Sequence, residues 1–189
     1  YYDVEEATKV FKFVSKLTND RGASRQFELL EFQFEIITEI LCVKRRSDGK
    51  RKHREAHINI PRKNGKSFLA AIIVVYLFFC QRHIFGALFI LTANTTKQAG
   101  ELYATVEHFI KTNKTLRRYC KITSSTKTIV RKDNGNKLMV LSSDADNADS
   151  FNDYVAVLDE IHQAKNDEMY GKLRTGPVSY THLRAHETL

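Results

Sequence analysis

Ile60-Pro61-Arg62-Lys63-Asn64-Gly65-Lys66-Ser67 is the stretch on which the reading of this chain turns. Before it, residues 56–60 read as a short strand. After it, residues 66–80 read as a helix; its stretch Phe68 to Cys80 is the most apolar of the chain, too short to span a bilayer and read as buried. A strand, a turn ending in Gly-Lys-Ser and an apolar helix are the context a phosphate-binding loop requires. In such a loop, backbone N–H groups wrap the phosphates, so Lys63, Asn64 and Gly65 are candidates by position. Lys66 would reach the β and γ phosphates, Ser67 would bind Mg²⁺, and the positive end of the helix would face the anion. The usual first glycine of the motif is replaced by Ile60. Gly-Lys-Ser alone is a weak signal, and a basic surface turn is the plain alternative.

A nucleotide hydrolase also needs a carboxylate for the metal and one to orient water. Val155-Ala156-Val157-Leu158-Asp159-Glu160 supplies both at the end of an apolar strand. That end is where open α/β sheets bind ligands. Asp159 is assigned to Mg²⁺ through its water shell, and Glu160 to activation of the attacking water. Taken singly, the two acids read equally well as a strand-to-loop exit. Their occurrence after Gly-Lys-Ser, each motif on the right element, favours an ATPase.

Outward from these motifs, the spacing predicts helices over residues 3–19 and along the stripe Phe27, Leu30, Phe34, Ile37, Ile40, Leu41. It predicts a strand over 87–92, an amphipathic helix over 97–112 and another strand over 155–158. A strand pair, 126–131 and 137–141, flanks the turn Asp133-Asn134-Gly135-Asn136, and 169–173 opens a further helix or loop. Apolar strands alternating with helices imply an α/β domain with a mainly parallel central sheet flanked by helices.

The 189 residues suffice for one domain with a real core. A net charge of +8 points to an anionic partner, nucleic acid or a membrane surface. Residues 44–54 concentrate that charge around an Asp48-Gly49 turn, and read either as a phosphate-contacting loop or as a solvated connection. Cys42, Cys80 and Cys120 are odd in number and widely spaced, which disfavours a disulfide framework or a structural metal site and suits a reducing compartment. The chain starts without a methionine, so an incomplete N-terminus is expected, and no secretory leader is visible.

Together these residues resemble the N-terminal ATPase domain of tailed-phage terminase large subunits of the HK97 type. That family's phosphate loop carries an early arginine and often lacks the first glycine, as in residues 60–67. Phe27-Glu28-Leu29-Leu30-Glu31-Phe32-Gln33 resembles the upstream segment whose glutamine reads adenine, a task an amide can perform with both a donor and an acceptor. Thr92-Ala93-Asn94 with Lys97-Gln98-Ala99, Leu141-Ser142-Ser143-Asp144-Ala145 and the Walker B ending Leu158-Asp159-Glu160-Ile161-His162 agree with the family too; Ser150, where a glycine is usual, departs from it.

The resemblance implies a P-loop NTPase fold of the ASCE/RecA-like kind. It implies ATP and Mg²⁺ as cofactors, Gln33 on the adenine and Arg62 on the γ-phosphate, where a planar guanidinium suits the charge. It further implies double-stranded DNA, the portal protein and the small terminase subunit as partners, a homo-oligomeric ring on assembly, no membrane, and the host cell cytoplasm as the place of action.

Residues 1–25 are expected to form an N-terminal helical segment and 26–177 the ATPase domain. Residues 178–189 resemble a translated sequencing-adapter tail and are expected to be foreign, with the gene truncated and the family's nuclease domain absent. On that reading the i, i+4 spacing of His182 and His186 is accidental rather than a metal site. Two other functions stay open: a helicase-type ATPase, which helicase motifs downstream would reveal, and a non-enzymatic basic nucleic-acid-binding module, which would not hydrolyse ATP.

Overall fold

The computed structural model describes residues 1–17, 29–61, 63–81, 84–93, 95–141, 153–159 and 181–186. The elements are α1 (Val4–Val14), α2 (Glu31–Cys42), β1 (Glu55–Asn59), α3 (Lys66–Cys80), β2 (Leu88–Ala93), α4 (Thr96–Thr112), α5 (Lys114–Arg118), β3 (Cys120–Thr123), β4 (Thr128–Arg131), β5 (Lys137–Val140), β6 (Asp153–Asp159) and β7 (Thr181–His186). The seven strands form one sheet in the order β1-β7-β6-β2-β5-β4-β3. From β1 to β5 every pairing is parallel, whereas β4 pairs antiparallel with both β5 and β3. This is the α/β architecture with a mainly parallel sheet that the alternation of elements implies.

The parallel strands explain their own composition. Val155, Ala156, Val157 and Leu158 of β6 and Phe89, Ile90 and Leu91 of β2 are all buried, as strands covered on both faces must be. Helix α3 is buried along its whole middle, from Leu69 to Phe79. It packs against α1, α2 and α4 and against the backbones of β6 and β7. Edge-on contacts of Phe68 with Phe109 and of Phe78 with Phe89, both with ring centroids 5.0 Å apart, lock it to α4 and β2. Tyr76 donates to Glu6 at 2.8 Å, tying α3 to α1, and burial with that carboxylate beside it raises the phenol's pKa.

Helix α1 starts at an Asp3 cap, whose carboxylate accepts from Glu6 N at 3.0 Å, and ends at Ser15, earlier than the periodicity suggests. The turn at 133–136 joins β4 to β5 as read from the sequence, with Gly135 at φ +72 supplying the left-handed residue. Helix α5 and strand β3 are additional to the elements read from the sequence. Asn113 caps α5 by accepting from Thr115 N and Leu116 N, both at 3.1 Å. The 169–173 segment lies outside the described residues.

Strand β7 falls within the 178–189 segment. The slot between β1 and β6 accepts a parallel strand, and Thr181–His186 fills it through backbone pairing. Pairing of this kind is independent of where the segment's sequence comes from. With β7 in place, β1 and β6 are not neighbours, although the loop after one and the acid ending the other meet in space.

Candidate nucleotide site

The loop after β1 turns sharply. Lys63 has φ +67, unusual for a residue with a side chain, and Gly65 has φ +78. Asn64 braces the turn by donating from Nδ2 to Pro61 O at 3.1 Å. Gly65 is the residue preceding α3, and its carbonyl accepts the helix bond from Leu69 N at 2.8 Å. A side chain there would be strained by φ, and its Cβ would sit 3.0 Å from Gln33 Nε2. So glycine at this position answers both a backbone and a packing need.

The amino end of α3 has no side-chain cap and no acid in its first turn. Helices usually place a cap or an acid there to meet the free N–H groups and the dipole. An end left this way, after a turn of left-handed residues, is suited to an external anion such as a phosphate.

Three side chains converge at this end. Ser67 Oγ donates to Asp159 Oδ2 at 3.0 Å. Lys66 Nζ lies 3.2 Å from Asp159 Oδ1, with both side chains almost wholly buried, at 7% and 8% exposure. Oδ1 itself accepts no well-directed hydrogen bond, so the Lys66–Asp159 contact is electrostatic rather than a formed bond. β6 delivers Asp159 at its carboxyl end, level with Ala93 at the end of β2. Hard oxygen donors at this spacing, one of them an anionic oxygen with unused acceptor capacity, fit Mg²⁺. Among the described residues no cluster of three His, Cys, Asp or Glu is present.

Gln33 is buried at the start of α2. Its Oε1 accepts from Leu30 N at 3.1 Å, closing the first turn of α2, and its Nε2 donates to Asn64 O at 3.1 Å. The residue assigned from the resemblance to adenine thus also ties α2 to the phosphate loop. One donor hydrogen and one acceptor lone pair of the amide are unused by these two bonds. This bracing is not legible in the sequence, because nothing in the local pattern links Gln33 to Asn64. Of the other sequence-derived site residues, Lys63, Asn64, Gly65, Lys66, Ser67 and Asp159 are brought together, while Arg62 and Glu160 lie outside the described residues.

Residues 31–182 match the family model described as the terminase large subunit, ATPase domain. No curated protein sequence matches the chain. Among solved structures, the HK97 bacteriophage large terminase is similar with a TM-score of 0.78 and 18% identity, over 95% of this chain and 37% of that one. The large terminase of the thermophilic bacteriophage D6E gives 0.64 and 10%, over 85% of this chain and 39% of that one. The UvsW helicase from bacteriophage T4 gives 0.58 and 14%, over 94% and 59%. At such identities the structural likeness speaks for the fold, and the chain spans little more than a third of either large terminase.

Proposed function

We propose that this chain, which belongs to the family of terminase large-subunit ATPase domains, binds and hydrolyses ATP to drive movement of double-stranded DNA into a procapsid. The observation that carries the reading is the meeting of Lys66, Ser67 and Asp159 at the uncapped amino end of α3.

The triphosphate is bound by the amides of residues 63–67, with Lys66 on its β and γ groups. Lys66 must leave Asp159 to do so, exchanging a carboxylate for phosphate oxygens. Ser67 and Asp159 would hold Mg²⁺, which when bound would neutralise charge on the phosphate oxygens. Glu160, next after the metal carboxylate, takes the proton of the attacking water as it adds to the γ-phosphorus and the bond to the β-phosphate oxygen breaks. Arg62 offers its guanidinium to the γ-phosphate. The adenine edge meets the free donor and acceptor of Gln33.

DNA, the portal, the small subunit, ring assembly and action in the host cytoplasm come to this chain from the family. Among the described residues no helix is long and apolar enough to cross a membrane. We read residues 1–25 as a helical lead-in, 26–177 as the ATPase domain and 178–189 as foreign sequence. Recovering the downstream gene sequence tests this division.

The function is tested by ATP hydrolysis of a full-length version and of its Lys66→Ala and Glu160→Ala variants. Both changes should abolish turnover, and unaltered turnover in both would sink the site assignment. A helicase-type ATPase is the second reading, favoured by the likeness to UvsW. ATP-dependent strand separation without packaging would select it.

A further inference from the structure

Residues 44–54 hold seven lysines and arginines against the single acid Asp48, so six of the chain's eight net positive charges sit in this one segment. It folds as a hairpin. Lys44 and Arg51 form an antiparallel bridge. Lys52 N donates to Val43 O at 2.8 Å, Arg45 N to Lys50 O at 2.8 Å, and Gly49 N to Arg45 O at 3.0 Å. Three of its cations hold the hairpin in place. Lys44 pairs with Asp3 at 2.5 Å, Arg45 pairs with Asp48 at 2.5 Å, and Arg51 donates to the Tyr154 hydroxyl at 3.0 Å. The other four, Arg46, Lys50, Lys52 and Arg54, are exposed and form no salt bridge among the described residues.

The Arg51–Tyr154 bond fixes the hairpin at the amino end of β6, and β1 begins directly after it at Glu55. The phosphate loop and Asp159 stand at the opposite ends of these same strands. A five-residue strand spans about 16 Å, so a nucleotide on the phosphate loop cannot be neutralised by the hairpin. Its charge is therefore available to a second polyanion. The same rim carries exposed Lys132 and Lys137, beside a turn in which Asn134 O accepts from Gly86 N at 2.9 Å. A cavity of about 760 Å³ behind the hairpin is lined by Lys50, Arg51, Arg54, Phe85 and Tyr154 among others. Arg51 Nη1 is buried and has no hydrogen-bond partner.

Building on the packaging reading, we propose that this amino-terminal rim of the sheet is a docking surface for the phosphodiester backbone of duplex DNA, engaged through Arg46, Lys50, Lys52 and Arg54. Duplex DNA presents one charge about every 1.7 Å, a density that a row of closely spaced cations matches. The hairpin is already ordered by its own bonds, so binding need not order a loop. Cations of this kind read phosphates rather than bases, as a motor moving along any sequence requires.

The test is fluorescence anisotropy of a labelled duplex with the 189-residue chain, without nucleotide, over a salt series. The comparison is a variant carrying Arg46→Gln, Lys50→Gln, Lys52→Gln and Arg54→Gln. The wild type should bind. The variant's plot of log affinity against log salt should be shallower by about 0.9 for each phosphate that is no longer neutralised, approaching 3 to 4 in all, equally for two unrelated sequences. Lys12→Gln with Lys16→Gln, on and just after α1, should leave the slope in place. Retained binding of a fluorescent ATP analogue shows that the hairpin variant is folded. An unchanged slope, or no duplex binding by the wild type at low salt, overturns the proposal and leaves the hairpin to an acidic protein surface. Lys66→Ala keeps the two readings apart, since it should lose nucleotide while keeping the salt slope.

Discussion

Ser67 Oγ donates to Asp159 Oδ2 across 3.0 Å, joining the first turn of α3 to the last residue of β6. Lys66 approaches the other oxygen of Asp159 to 3.2 Å. The site is thus held shut by the same groups that a nucleotide and its metal would recruit.

Lys66 and Asp159 each lose a close counter-charge when the other is replaced, and for a buried pair such a loss costs about 3 to 5 kcal/mol. Lys66→Met and Asp159→Asn should each lower the unfolding free energy by this order. The double variant should lose less than the sum, by about 1 to 3 kcal/mol. Urea unfolding of the four proteins checks this, and strict additivity would show that the pair is not coupled.

Gln33 and Gly65 form one unit, because a Cβ on residue 65 would crowd the Gln33 amide, 3.0 Å from its Nε2. Gln33→Ala removes the bonds to Leu30 N and Asn64 O and should weaken ATP binding by about 1 to 2 kcal/mol, roughly tenfold. It should also narrow the preference for ATP over GTP. Gly65→Ala should cost about 1 to 2 kcal/mol of stability from the left-handed backbone alone. Titration with fluorescent ATP and GTP analogues, together with thermal unfolding, separates the two effects.

Arg131 closes the other end of α3. It is buried and donates to Phe78 O at 2.7 Å and to Phe79 O at 3.3 Å, while pairing with Asp133. The last turn of α3 contains no basic residue, so this arginine from β4 meets carbonyls the helix leaves open. Arg131→Met keeps the bulk and loses the charged bonds, and should cost about 3 kcal/mol. Denaturant midpoints measure it, and a change below about 0.5 kcal/mol would remove Arg131 as the cap.

Asp3, Glu107 and Asp133 are among the carboxylates that make the fold sensitive to acid. The Lys44 bond and the Glu6 amide lower the pKa of Asp3. Burial opposes the same shift in Glu107 and Asp133, but is outweighed by Ser124, Lys111 and Tyr103 for the first and mainly by Arg131 for the second. A lowered folded pKa means that the folded state binds these protons less readily than the unfolded one. The stability they contribute is therefore present above about pH 4 and is lost as pH falls through the lowered values. Thermal unfolding between about pH 7 and pH 3 should show this loss. Asp3→Ala should flatten it and, by removing the cap of α1, cost about 1 kcal/mol at neutral pH.

Much of this architecture is legible in the sequence because burial writes itself into composition. Residues 66–80 read as a helix and are one, since an apolar run of that length has to be covered on all sides. The strands ending at Ala93 and Asp159 are legible for the same reason, and their boundaries move by only a residue or two. Helix α5 and strand β3 are not, because their few mixed residues carry no period and depend on the Asn113 cap and on pairing with β4. In the site, Gly65-Lys66-Ser67 and Asp159 are legible as chemistry. The Gln33 brace and the Arg131 cap are not, because each bonds to a backbone carbonyl, which any residue supplies and no motif records.

A helix packed along its whole middle has nowhere to slide. The cores of α1, α2, α4 and the sheet grip α3 between Leu69 and Phe79, so its amino end is a fixed anvil. Seating a nucleotide then cannot be a matter of moving the helix. The travel would then fall to light parts: the Lys66 side chain swinging away from Asp159, and the turn at Lys63, Asn64 and Gly65. For an anion seated at that end, the displaced ammonium group would be the first part to move, while the stiff body behind it stays in place.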